Sequence, residues 1–174
     1  MSKYRVIYAD PPWQYGERPL EDHGPVTHDF APMSVEELCA LPVKELAEKD
    51  AVLFLWVPST FLEEAYKVVK AWGFKYKTSF VWNKKNGTHG YFVQTQHEFL
   101  LICTRGSCLP DVKKKLNSVV EITWNGKSSE KPEAFRQIID FLYPNGRRIE
   151  LFTTKPGEGW DTPNTGPVKE DGDD

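Results

Sequence analysis

The sequence contains few cysteines, no long apolar run and no regular spacing of metal ligands. Its three cysteines, Cys39, Cys103 and Cys108, show no Cys-x-x-Cys spacing, and this odd count without a secretion signal predicts reduced thiols in the cytoplasm. The apolar run at residues 51–57 is far too short to cross a bilayer. The four histidines are scattered, so we expect no metal site. These features argue against disulfide-rich secreted proteins, membrane-spanning proteins and zinc modules.

The chain also carries little net charge, formally −3 at pH 7 for 174 residues. Residues 168–174 hold one lysine and four acidic residues, so the remainder is formally neutral. We expect residues 1–167 to form a single domain and residues 168–174 to be a disordered acidic tail. Two basic runs in the neutral body are expected either to contact nucleic-acid phosphates or to lie on a solvated face. Their members are Lys84, Lys85, Lys113, Lys114 and Lys115.

A short apolar segment, residues 6–9, leads directly into Asp10-Pro11-Pro12-Trp13. This tetrapeptide suits chemistry on the exocyclic amine of a nucleobase. The nitrogen of that amine is a weak nucleophile because its lone pair is delocalised into the ring, so a catalyst must supply acceptors for hydrogen bonds from its N–H groups. Asp10 offers a carboxylate. Proline has a fixed φ and no N–H, so Pro11 and Pro12 are expected to leave local carbonyls pointing outward, while Trp13 offers a face for stacking on an extruded base. The alternative, a plain turn that ends a strand, stays open.

The pattern along the chain predicts strands that alternate with helices. Strands are expected at residues 5–9, 51–57, 76–82, 98–103, 119–124 and 148–153. Helices are expected at residues 34–41, at residues 59–72 with Gly73 as the stop, and from residue 132 to the Pro144-Asn145-Gly146 stop. This alternation predicts an α/β sandwich with a largely parallel sheet. Ligands of such sheets bind beyond the carboxyl ends of the strands, where Asp10 and Thr154 would both lie.

Local signals refine these boundaries. Ser34 is expected to cap the first helix, with Glu37 three residues later, and Ser59 or Thr60 to cap the second. The polar segment at residues 84–96 is expected to separate two strands, because it lacks their apolar residues.

Eight short segments occur in an order that resembles one family of enzymes. They are Ala9-Asp10-Pro11-Pro12-Trp13, Phe30-Ala31-Pro32-Met33-Ser34, Leu53-Phe54-Leu55-Trp56, Trp72-Gly73, Trp82-Asn83-Lys84, His97-Glu98, Lys131-Pro132 and Glu150-Leu151-Phe152. The chain resembles, over nearly its whole length, the N6-adenine methyltransferases named for the seventy-kilodalton MT-A subunit. That family includes the catalytic subunit of the eukaryotic mRNA m6A writer and DNA-modifying relatives from bacteria and phages. The resemblance implies a Rossmann-like methyltransferase fold in circularly permuted order.

The resemblance also implies roles for individual residues. Asp10 and the Pro11 carbonyl would hold the adenine amine, and Trp13 would shape the base pocket. Lys131 would pair with the carboxylate of the cofactor S-adenosylmethionine. The implied cofactor contacts are Asp10, Lys131, Glu150, Thr154 and Asn164, with Glu150 expected to orient cofactor-binding groups.

Three departures from the family pattern affect these roles. Phe30 stands where the family usually has tyrosine, so a stacking role is implied without a hydroxyl. Thr153-Thr154-Lys155 replaces a segment that commonly contains arginine. Longer members have an additional strand and an Asp-bearing turn before the motif. With nine residues before Asp10, we expect weak cofactor binding or a partner that completes the site.

We therefore expect a methyltransferase that uses S-adenosylmethionine and methylates the N6 amine of adenine in DNA by direct in-line displacement. Methylation of RNA is the alternative within this class. A non-catalytic partner subunit that binds nucleic acid is the alternative outside it, although such subunits tend to lose the motif carboxylate or the cofactor lysine. A bacterial or phage-infected cytosol is the expected location, and a homodimer or a complex with another subunit stays open.

Overall fold

The computed structural model describes residues 3–15, 29–126 and 130–163. Asn164 and the acidic tail at residues 168–174 lie outside the described residues. The elements are β1 Tyr4–Ala9, α1 Val35–Ala40, α2 Val43–Leu46, β2 Ala47–Pro58, α3 Leu62–Ala71, β3 Lys75–His89, β4 Gln94–Arg105, β5 Val119–Glu121, α4 Glu133–Leu142 and β6 Arg148–Leu151. A 3-10 turn over Ser59–Phe61 joins β2 to α3.

The six strands form one sheet in the order β5-β3-β4-β2-β1-β6. β1 pairs in parallel with β2 and β6, and β3 pairs in parallel with β5. β4 runs antiparallel to both of its neighbours, so five of the six strands share one direction. The predicted Rossmann-like α/β fold with a mostly parallel sheet is confirmed. The first and last strands lie side by side, as the circularly permuted order implies.

Helices cover both faces of this sheet. On one face, Leu38 of α1 and Val68 of α3 belong to a buried cluster with Trp72. On the other face, Phe135 and Ile139 of α4 belong to a second buried cluster. β2 contributes to both clusters, which explains why its residues 51–57 form a continuous apolar run.

The local signals were correct for some helix ends and wrong for one. The Glu37 N–H donates to Ser34 Oγ at 3.1 Å, so the predicted cap of α1 is confirmed. α3 ends before Gly73, whose φ of +83° lies in the left-handed region that glycine adopts without steric cost. The predicted cap at Ser59 or Thr60 is wrong, because these residues lie in the 3-10 turn and α3 begins at Leu62.

The polar segment at residues 84–96 is mostly strand, so the prediction that it merely separates two strands is wrong. β3 continues to His89 and β4 begins at Gln94, and the two form a long hairpin. This hairpin leaves the apolar core, and its residues therefore show no apolar alternation. β5 and β6 are each shorter than predicted. Among the described residues, no helix has the length and apolarity needed to span a bilayer.

Candidate active site

A cavity of about 270 Å³ opens at the carboxyl ends of β1 and β6. Ala9 and Leu151, the last residues of these strands, are register partners. The chain therefore leaves both strands at the same edge of the sheet. Asp10 and Thr154 both line the cavity, which confirms the prediction that they lie together beyond the strand ends.

The Asp10-Pro11-Pro12-Trp13 segment turns sharply after β1. The Pro11 carbonyl accepts a hydrogen bond from the Trp13 N–H at 3.0 Å, and the Pro12 carbonyl accepts one from the Met33 N–H at 2.8 Å. The prediction that these carbonyls simply point outward is therefore wrong, since main-chain N–H groups reach both. A carbonyl oxygen has two lone pairs, so the Pro11 carbonyl can accept a second hydrogen bond from an amine.

Two aromatic side chains predicted to stack on a base belong instead to the core. Trp13 is 7% exposed, donates its indole N–H to the Trp56 carbonyl at 3.0 Å, and stacks on Phe61 with ring centres 5.4 Å apart. Phe30 is 1% exposed and packs edge-on against Phe152. Stacking on a base requires an exposed ring face. Neither Trp13 nor Phe30 is therefore placed for the predicted stacking. Trp13 instead packs in the core and supports the turn that contains it.

Lys131 lies in a network of charged side chains that alternate in sign, from Asp10 through Lys131 and Glu98 to Lys84. Its Nζ lies 3.4 Å from Asp10 Oδ2 and 3.4 Å from Glu98 Oε1. The other oxygen of Glu98 lies 2.8 Å from Lys84 Nζ. The Lys131 and Glu98 side chains are only 14% and 12% exposed. Such burial is tolerated because each charge has an opposite charge beside it.

The pKa shifts of this network reflect the same contacts. Burial alone would lower the pKa of Lys131, but Asp10 and Glu98 outweigh it, and the pKa lies above the ordinary lysine value. Burial alone would raise the pKa of Glu98, but Lys131 and Lys84 outweigh it, and the pKa lies below the ordinary value. Lys131 is therefore cationic and Glu98 anionic at neutral pH. Lys131 Nζ also lies 5.6 Å from the centre of the Trp56 ring, within reach of a cation–π interaction.

A second ion pair forms part of the opposite wall. Arg136 donates to both carboxylate oxygens of Glu150, from Nε at 3.0 Å and from Nη2 at 2.7 Å. The Gly157 N–H also donates to Glu150, at 3.3 Å. A Cβ at Gly157 would overlap the Arg136 side chain, so glycine allows this approach. The Glu150 carboxylate is thus engaged by the protein, an arrangement suited to the expected orienting role.

Thr154 donates its hydroxyl to Asp29 at 3.2 Å, and both residues line the cavity. This contact ties the segment after β6 to the segment that precedes α1. Asn164, the remaining predicted cofactor contact, lies outside the described residues.

The lysines predicted to contact phosphates occupy different settings. Lys84 is 18% exposed and bound to Glu98, so its predicted role as a phosphate contact is wrong: burial and pairing make it part of the charge network. Lys85 is half exposed and lies 3.2 Å from Glu121. The lysines at residues 113–115 are exposed in the loop between β4 and β5, as a phosphate contact or a solvated face requires.

Two residues of the site had no role in the sequence interpretation. Glu98 lies between Lys131 and Lys84, and Arg136 holds Glu150. The sequence offered a faint signal for Glu98, which is an isolated acid directly before an apolar run. For Arg136, the only local signal is its spacing of three residues from Glu133, an ion-pair spacing on a helix.

Comparisons with known proteins identify the family of the chain. A family model described as MT-A70 matches residues 4–165. The "Type II methyltransferase M.MunI" of Mycoplasma sp is 30% identical over 178 aligned positions, which cover 92% of this chain and 76% of that protein. The human "N(6)-adenosine-methyltransferase catalytic subunit METTL3" is 28% identical over 87% of this chain. The "N(6)-adenosine-methyltransferase MT-A70-like protein" of Drosophila melanogaster is 29% identical over the same share.

The chain spans about a quarter of these two eukaryotic relatives, 26% and 24% of their lengths. The family match includes the Asp10 motif, Lys131 and the Glu150 strand, and the chain belongs to the MT-A70 family.

Proposed function

We propose that this protein is an S-adenosylmethionine-dependent methyltransferase that methylates the N6 amine of adenine in DNA. The observation that carries the proposal is the position of Asp10, which stands at the end of β1, lines the cavity and contacts the buried cation Lys131. Membership of the MT-A70 family supports the reaction class.

The chemistry of the adenine amine explains the need for such a carboxylate. The amine is a weak nucleophile because its lone pair is delocalised into the ring. A carboxylate that accepts a hydrogen bond from the amine N–H places negative charge beside the nitrogen. Positive charge develops on that nitrogen as it attacks the methyl group, so the carboxylate stabilises the transition state. A carboxylate has about four acceptor sites, so Asp10 can contact Lys131 and an amine at the same time. The Pro11 carbonyl would be the second acceptor.

The polar groups of the cavity fit the methionine end of S-adenosylmethionine, which carries both an ammonium and a carboxylate. Lys131 would pair with the carboxylate. The Thr154 hydroxyl, beyond the end of β6, donates its proton to Asp29 and keeps lone pairs that could accept from the ammonium. Arg136 and Glu150 neutralise each other and shape the wall. When bound, the cofactor would supply an electrophilic methyl group on a positively charged sulfur. The protein would then hold the amine in line with that group and exclude water.

Coverage supports the choice of DNA. The type II methyltransferase is matched over most of its length, whereas the human and Drosophila adenosine methyltransferases are matched over about a quarter of theirs, 26% and 24%. The names of the latter favour RNA as the alternative substrate. The pairing of Asp10 with Lys131 favours an enzyme over a non-catalytic partner subunit.

The test is nucleoside analysis after reaction in vitro. The purified chain is incubated with S-adenosylmethionine and either unmethylated plasmid DNA or an RNA transcript, and the digested nucleosides are measured by mass spectrometry. We expect N6-methyldeoxyadenosine from DNA. N6-methyladenosine from RNA alone would move the assignment to RNA. Cofactor binding with no methylated product from either polymer would contradict the proposed activity.

A further inference from the structure

The turn between β3 and β4 exposes three consecutive apolar side chains. Tyr91 is 94% exposed, Phe92 is 99% exposed and Val93 is 66% exposed. Other large aromatic residues at the described surface, such as Tyr15 and Phe141 at 45%, keep more than half of their area covered. A contiguous exposed apolar cluster of this kind marks an interaction site.

The position of this turn relates it to the cavity. Glu98, which contacts Lys131, is the register partner of Trp82 at the edge of the sheet. Four residue steps separate Glu98 from Gln94, so at about 3.3 Å per residue the paired strands extend roughly 13 Å beyond Glu98. We call residues 83–97 the arm and residues 90–93 its tip. The arm projects from the edge of the sheet at which Asp10 lies.

The base of the arm is held firmly. The main-chain N–H groups of Ile122 and Trp124 donate to the carbonyls of Asn83 and Lys84 at 3.1 and 3.0 Å. The Asn86 side chain donates to the Trp124 carbonyl at 2.9 Å. These contacts fix the direction in which the arm leaves the sheet.

The two strands of the arm also lie close together. A Cβ at Gly87 would lie 2.7 Å from the Thr95 carbonyl oxygen, and a Cβ at Gly90 would lie 2.7 Å from the Val93 carbonyl oxygen. Glycine at these two positions lets the strands approach, so the exposed side chains stand on a compact ribbon.

The side chains of the arm indicate the partner. Residues 83–97 contain no acidic residue, in a chain with 25 acidic residues. The two lysines of the arm pair with Glu98 and Glu121, which lie outside it, so the arm is close to neutral and carries no acid of its own towards a polyanion. Its amide side chains are suited to base edges. A nucleic-acid strand matches the aromatic tip, because every base offers a ring face for stacking.

We propose that Tyr91 and Phe92 form a wedge that stacks on the bases beside the target adenine and holds the strand open above Asp10. This inference rests on the proposed function. An adenine must leave its base stack to place its amine beside Asp10, and apolar side chains that enter a base step keep such a distortion open.

The test compares the double variant Tyr91→Ala/Phe92→Ala with the wild type and with Leu109→Ala. Leu109 is an 81% exposed apolar residue outside the arm and serves as the matched control. Affinity for short adenine-containing DNA, single-stranded and duplex, is measured by fluorescence anisotropy. We expect the double variant to bind about 5-fold or more weakly, as for the loss of one stacked base. Phe92→Trp should retain affinity, and cofactor affinity should be unchanged in every variant.

A photochemical measurement locates the contact. DNA with 5-iodouracil beside the adenine is irradiated in complex with the wild type, and the cross-linked peptide is identified by mass spectrometry. A cross-link to Tyr91 or Phe92 supports the wedge, and cross-links solely elsewhere overturn it.

Wild-type DNA affinity and methylation in the double variant would also overturn it while leaving the proposed function intact. A tip cross-link without methyl transfer by the wild type would instead contradict the proposed function. If sedimentation shows that the double variant loses a wild-type dimer, the tip binds a second copy and the wedge is overturned.

Discussion

Replacing Lys131 with alanine removes the central cation of the buried network. Its Nζ contacts Asp10 and Glu98 at 3.4 Å each, and the variant leaves Glu98 with Lys84 at 2.8 Å. Breaking a buried ion pair costs about 3–5 kcal/mol. We expect the lower end, about 3 kcal/mol of unfolding free energy, because Lys84 still pairs with Glu98. For a chain of this size that loss corresponds to a fall in Tm of roughly 6–12 °C.

The same substitution should weaken cofactor binding. A hydrogen bond to a charged group contributes about 1.5–3 kcal/mol, so we expect the affinity for S-adenosylmethionine to fall about 10- to 150-fold. Lys131→Met keeps the aliphatic stem near the Trp56 ring but removes the charge, and it should lose as much affinity as the alanine variant. Lys131→Arg should recover part of it.

Urea unfolding measures the stability of these variants, and calorimetry measures their cofactor affinity. Lys113→Ala is the matched control, since residue 113 is exposed and lies outside the cavity, and neither quantity should change. A folded Lys131→Ala protein that binds the cofactor as tightly as the wild type would refute the assigned contact. An unchanged free energy of unfolding would refute the structural role of the pair.

Three further outcomes follow from the structure. Because the folded pKa of Glu98 lies below its ordinary value, its contribution is complete above about pH 5 and is lost as pH falls through the folded pKa. Glu98→Gln should therefore flatten the acid limb of unfolding free energy against pH, and an acid limb like that of the wild type would contradict this. Alanine at residues 113–115 should reduce the slope of log DNA affinity against log salt by up to about 0.9 per lost phosphate contact. An unchanged slope in a salt titration would place this run on a solvated face. Arg136→Ala leaves the buried Glu150 carboxylate without its bidentate partner. It should lower the unfolding free energy by about 3 kcal/mol in urea denaturation, and a loss near zero would contradict the structural role of the pair.

The sequence was most informative where the physical signal is local. The apolar run at residues 51–57, the Ser34 cap and the Gly73 stop each depend on neighbouring residues, and all three appear in the structure. The Asp10 motif could be placed at a strand end because the apolar segment precedes it directly.

Contacts between distant residues could not be predicted in this way. The pairing of Lys131 with Glu98 joins residues far apart in the chain, and the local sequence around each residue does not indicate its partner. Trp13 and Phe30 suit a stacking surface and a packed core equally well by residue type, and only tertiary placement assigns them to the core. The polar hairpin was missed because a ribbon outside the core has no apolar alternation.

The most direct test of the account is the rate of methyl transfer by Asp10→Ala at saturating cofactor. N6-methyldeoxyadenosine formation is followed in single turnover, with Glu63→Ala, an exposed carboxylate of α3, as the matched control. Removing an acceptor that acts in the transition state typically costs about 10²-fold or more, so we expect at least that loss in a folded protein that still binds the cofactor. A folded Asp10→Ala protein that methylates adenine at the wild-type rate would contradict the central role of Asp10.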